Sequence, residues 1–113
     1  MEERWSPLLP PEDPGTAPRD YKVRTKVVRY KGTSWHLAYL PLKPAALIKA
    51  RFGSTARGWG SIRVHIKVGG TEWDTSLFPD KKAKTYLFAI KAAVRKAEDL
   101  SPGDGFTALV RVL

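Results

Sequence analysis

The dipeptide Gly69-Gly70 constrains this chain more than any other feature, because it stands between two runs of alternating apolar residues. Consecutive glycines reach the left-handed backbone conformations that a two-residue hairpin turn needs, and the turn then dictates which residues face each other. With Val68 opposite Thr71, the pairs become Lys67 with Glu72, Ile66 with Trp73, His65 with Asp74, Val64 with Thr75 and Ile62 with Leu77. One face of the hairpin is then apolar, and the other alternates opposite charges. A slip of one residue would mismatch both faces, so two independent patterns specify the same register. The pairing also provides Glu72, Asp74 and His65 with cross-strand partners.

The same period of two continues outside the hairpin. Tyr21, Val23, Thr25 and Val27 fall on one side of an extended segment, and Lys22, Arg24 and Lys26 fall on the other. Val28 and Tyr30 take the opposite phase, which predicts a bulge near residue 28. Trp35 to Leu40 reads as a strand stopped by Pro41, and Pro44 as a first-turn proline of a helix that Gly53 ends. A strand from Thr85 to Ile90, a helix from Lys91 to Asp99 and a strand carrying Phe106, Ala108, Val110 and Val112 complete the chain. Arg95 and Asp99 have the spacing of a helix ion pair, and Asp104 closes a Pro-Gly turn. The sum is six strands and two short helices. A strand, short helix, glycine, strand unit occurs twice, at Trp35 to Val68 and at Tyr86 to Val112, which predicts an internal pseudo-twofold.

Residues 1 to 20 differ in kind. They hold five of the nine prolines, two basic and five acidic side chains, and no apolar periodicity. They read as a disordered acidic arm ahead of a single β-barrel domain at 21 to 113. The arm lacks the continuous apolar stretch of a secretory signal, and no run approaches the length of a membrane span, so a cytoplasmic, membrane-free protein is expected. Removing the arm from the count leaves residues 21 to 113 with 18 basic and 6 acidic side chains, a net charge of +12. Such a balance favours polyanionic partners, although it says nothing about fold.

The chemistry available to the chain is limited. Without cysteine there are no disulfides, thiolate metal sites or thiol nucleophiles. His36 and His65 lie on separate strands with no carboxylate cluster at ligand spacing, so no metal and no cofactor is expected. His36 reads as a solvent-facing strand residue. No nucleophile, base and orienting group can be assembled, which predicts a non-enzymatic protein. Gly53 and Gly58 have the gap of a phosphate-binding loop, but Trp59-Gly60 stands where lysine and a hydroxyl residue are required.

Trp35 with Leu40-Pro41, Gly60 and Gly70 bounding a strand, Thr75-Ser76-Leu77 before Pro79, Tyr86-Leu87, Lys91, Arg95 and Gly103-Asp104 together resemble the bacterial domain-of-unknown-function family DUF1905. The resemblance covers about residues 21 to 113. It implies a mainly β fold, a small barrel with a helix at each end, similar to the double-split barrel of AbrB and MazE-type transcription factors. Those proteins bind DNA as swapped dimers, and two such units in one chain would supply the whole barrel. The family carries no established activity to transfer. Lys81-Lys82-Ala83-Lys84 occupies a turn where the family pattern has glycine, which predicts a longer, more cationic loop.

Two functional expectations follow. In the first, Lys22, Arg24 and Lys26, about 6.6 Å apart along one strand face, track a nucleic-acid or other polyanion backbone together with Lys81, Lys82 and Lys84. In the second, a small anionic ligand binds near Trp35, Arg57 and Trp59, with the segment from Gly53 to Gly60 as a loop over the pocket. Against that second reading, Trp59 is expected to pack on the core. Nothing in the residues sets an oligomeric state.

Overall fold

A computed structural model describes residues 17–113. The chain forms β1 (Asp20–Lys26), β2 (Val28–Arg29), β3 (His36–Tyr39), α1 (Leu42–Phe52), β4 (Ile62–Val68), β5 (Thr71–Asp80), β6 (Thr85–Ala89), α2 (Ala92–Ala97) and β7 (Gly105–Val112). Two short 3-10 turns, Gly53–Thr55 and Gly58–Gly60, lie between α1 and β4. The strands form one curled antiparallel sheet in the order β1-β7-β4-β5-β6-β3-β2. The fold is mainly β.

The β4–β5 hairpin has the register read from Gly69-Gly70, from Val68 opposite Thr71 to Ile62 opposite Leu77. Gly69 takes φ +58, the conformation for which glycine was required. Along β1 the apolar side chains Tyr21 and Val23 are buried while Lys22, Arg24 and Lys26 are exposed. Phe106, Ala108, Val110 and Val112 of β7 are all buried. These inward residues meet Ile48 and Phe52 of α1 and Phe88 of β6 in one core.

There are seven strands where six were expected, and the extra one has a physical origin. The phase change near residue 28 is not a bulge within one ladder but an exchange of partners. β1 pairs with β7, and after Val27 the chain pairs as β2 with β3. Val27 itself is buried; its N–H donates to Asp104 O at 3.0 Å, and its carbonyl accepts from Gly103 N at 2.8 Å. β5 makes the corresponding exchange without a break, pairing first with β4 and then with β6. Units β3-α1-β4 and β6-α2-β7 stand in matching places, since β3 pairs with β6 and β4 with β7.

Other details depart from expectation. α2 is shorter than 91 to 99, because Asp99 turns left-handed at φ 52 and Leu100 N donates back to Arg95 O at 2.8 Å. That turn carries Asp99 away from Arg95. The guanidinium instead donates to Ile90 O at 3.2 Å and to His36 Nε2 at 3.3 Å. His36 is accordingly half-buried, with Nδ1 donating to Ser34 O at 2.8 Å, and is not a free solvent-facing residue. Asp104 does close its turn, accepting from Ser101 N at 2.8 Å. Of the expected arm, residues 1 to 16 lie outside the described residues. Its last residues belong to the folded body: Ala17 is buried, and Asp20 opens β1 with a two-point ion pair to Arg111, at 2.7 and 3.2 Å.

Candidate functional site

Alternation along β1 and its neighbours sorts charge onto the outer face of the sheet. Lys22 lies opposite Leu109, Arg24 opposite Thr107 and Lys26 opposite Gly105. The face also carries three carboxylates, and each has a specific partner. Asp20 is bound by Arg111, and Glu72 and Asp74 are both bound by His65. Lys22, Arg24 and Lys26 form no ion pair among the described residues. Arg24 only reaches across to Thr107 Oγ1 at 3.3 Å. Two of the three acids therefore lie on β5, the third is tied to Arg111 at the start of β1, and the uncompensated cations lie along the rest of β1.

The lysine loop lies elsewhere. Lys81 and Lys84 line a groove of about 390 Å³ with Lys49 of α1 and Tyr86 of β6. It adjoins a second, wider depression of about 630 Å³, lined by Lys49, Lys81, Tyr86, Phe78 and Trp59. Lys84 adopts φ 58, the left-handed region that favours glycine. The turn is held by Asp80, whose Oδ1 accepts from the N–H groups of Lys82 and Ala83 at 3.0 and 3.1 Å. Its Oδ2 accepts from the Tyr39 hydroxyl at 3.2 Å. These bonds, the Ala83 N–H first, hold the Asp80 carboxyl below its ordinary range, so the single acidic group of the groove is ionised and occupied with the turn. Lys82 lines neither depression.

A family model described as "Domain of unknown function (DUF1905)" matches residues 24–110. The chain belongs to the DUF1905 family. No curated protein matches it. The matched span holds Arg24, Lys26 and the whole groove, while Lys22 lies just outside it.

Within this DUF1905 domain the second expected site does not assemble. Trp59 lines the wider depression beside the lysine groove, Arg57 lines a separate one with Arg63 and Leu113, and Trp35 lines neither. The cause is the loop's shape. Gly58–Gly60 makes its own tight turn, which Ser61 Oγ ties to Gly58 O at 3.1 Å, and Trp59 points outward. Its side chain is 93% exposed, contrary to the expected core packing. Lys49, which lines both depressions, and Phe78, which lines the wider one, have no signal in the sequence, since no local pattern links a helix lysine to a turn thirty residues later. Among the described residues no helix is long and apolar enough to cross a membrane, and no group of three or more His, Asp or Glu could hold a metal.

The His65 cluster yields a prediction about pH. Nδ1 approaches Asp74 Oδ1 at 2.6 Å and Nε2 approaches Glu72 Oε1 at 2.9 Å. Only an imidazolium has an N–H for each carboxylate. Glu72 first and Asp74 second raise the ring above 6.5, and the same contact lowers Glu72 below 4.5. The ring's stabilising contribution is thus complete below pH 6.5 and lost as pH rises through its raised value, whereas that of Glu72 is lost as pH falls through its lowered one. In an NMR titration the His65 ring is expected to titrate above 6.5. The stability difference between the wild-type chain and His65→Ala is expected to shrink at higher pH. A ring titrating at or below the ordinary histidine value removes the clamp.

Proposed function

We propose that this DUF1905 domain is a non-enzymatic binding module for nucleic acid, held by backbone contacts through the outer face of β1. The observation that carries the reading is the row Lys22, Arg24 and Lys26, exposed at alternate positions with no ion-pair partner among the described residues while the acids of the same face are all engaged. Alternate residues on a strand recur about every 6.6 Å, a repeat an extended single strand can match with successive phosphates. No base-reading element accompanies the row, so binding is sequence-independent and dominated by counterion release.

The fold reading that accompanies this function is a double-split barrel of the AbrB and MazE type. Its support is the exchange of partners by both long strands, β5 between β4 and β6, and β1–β2 between β7 and β3. Fold likeness alone does not transfer DNA binding, and the test is direct. Titrating the chain with single-stranded and duplex oligonucleotides of mixed sequence is expected to give saturable binding with a steep salt slope and little sequence preference. Absence of binding at low salt overturns the proposal.

A further inference from the structure

The lysine groove is distinct from the β1 face, and its composition is that of a ligand site. Three cations, Lys49, Lys81 and Lys84, line it from two different elements, α1 and the β5–β6 turn. Its one acidic group, Asp80, is already bonded to two backbone N–H groups and the Tyr39 hydroxyl. The groove is therefore cationic without internal compensation, and its walls are apolar through Pro79 and Tyr86. Trp59 stands at its rim, 93% exposed, and Phe78, at 44% exposure, offers a second accessible ring.

Backbone conformation singles out the same place. Among the described residues three non-glycine residues have left-handed φ, and two of them line the adjoining depressions, Lys84 at 58 the groove and Trp59 at 65 the wider one beside it. A bulky aromatic and a lysine are both disfavoured there, and each stands in a tight turn, Trp59 within Gly58–Gly60 and Lys84 at the end of the β5–β6 turn. Conformations of this kind persist where the surrounding structure over-determines them, and they cluster at ligand sites. Here one outlier presents an indole to solvent and the other adds a cation.

We infer that this groove binds a nucleotide, with the base stacked on Trp59 and the phosphates held by Lys49, Lys81 and Lys84. An aromatic face suits a base of any identity, and clustered ammonium groups suit a phosphate as point charges. Depressions of about 390 and 630 Å³ lie in the range of small-ligand sites. The shared chemistry is a base joined to phosphate, whether free in solution or at the end of a strand. This site goes beyond the β1 interface and stands without it.

Calorimetry of the full chain with ADP, GDP, CDP and UDP tests the inference, with adenosine and pyrophosphate as half-ligands. At least one diphosphate is expected to bind, and more than tenfold more tightly than either half-ligand. Trp59→Ala, at an exposed position, is expected to weaken that binding roughly tenfold. Trp35→Ala, removing a tryptophan that is 67% exposed away from the groove, is expected to leave it unchanged. Lys84→Gly is expected to raise the thermal midpoint slightly while weakening binding several-fold, a combination a purely structural lysine would not produce. A 5′-phosphorylated single-stranded oligonucleotide that competes with the diphosphate and shares its Trp59 dependence identifies a strand end as the source. Failure to compete identifies the free nucleotide, and both support the site. No binding by any of the four diphosphates, pyrophosphate binding as tight as theirs, or indifference to Trp59→Ala overturns it.

Discussion

Replacing Lys22, Arg24 and Lys26 together by alanine is expected to weaken single-stranded DNA binding about a hundredfold at low salt, equivalent to about 1 kcal/mol per contact. The dependence of log K on log salt is expected to flatten by about 2, since each phosphate neutralised on a single strand contributes roughly 0.7 to the slope. Fold stability is expected to hold, because all three side chains are exposed and surface substitutions usually cost within about 0.5 kcal/mol. Removing the same charge elsewhere separates a site from a general field. Lys31, Lys91 and Lys96 are also exposed, and their triple alanine variant is expected to change the slope far less. Equal effects of the two triple variants would mean that net charge, and not the β1 row, binds the strand.

Phe88→Ala is expected to cost about 3–5 kcal/mol, the usual range for deleting a fully buried aromatic ring. Phe88 is 0% exposed at the centre of β6, opposite the equally buried Ala38 of β3, with the Trp73 ring at 6.4 Å. Its neighbours are locked in strands on both sides and cannot close over the space. Domains of this size have about 5–15 kcal/mol in total, so the variant is expected to lose on the order of 15 °C in thermal midpoint. Leu109→Ala is the comparison. It removes an apolar side chain that is 45% exposed on the outer face of β7 and is expected to change stability by about 0.5 kcal/mol or less. Urea unfolding of both variants measures the difference, and a Phe88→Ala cost below about 1 kcal/mol would show that β3 and β6 do not close the core.

What was legible in the sequence depended on how local the determinant was. The β4–β5 register could be read residue by residue, because a two-residue turn leaves the strands no freedom and both faces must match at once. The inward and outward faces of β1 and β7 were legible for the same reason. Near Val27 the pattern showed a change of phase but not its meaning. A bulge and an exchange of partner strand shift the alternation alike, and only the positions of β7 and β3 distinguish them. Trp59 shows the limit in a single side chain: tryptophan burial is a sound expectation, yet flanking glycines and a left-handed φ turn this one outward.

The two groups of lysines make the same division. That Lys22, Arg24 and Lys26 share a strand face, and that the 81–84 turn is cationic, follows from the chain alone, since both rest on neighbours a few residues apart. That these are two surfaces and not one, that the turn lysines meet Lys49 and Trp59, and that the nearby acids are already engaged depended on the tertiary structure. Which ladder each strand joins places residues thirty or more apart side by side, and no local periodicity encodes that choice. It is made by burying the apolar faces of β1, the strands β3 to β7 and both helices together.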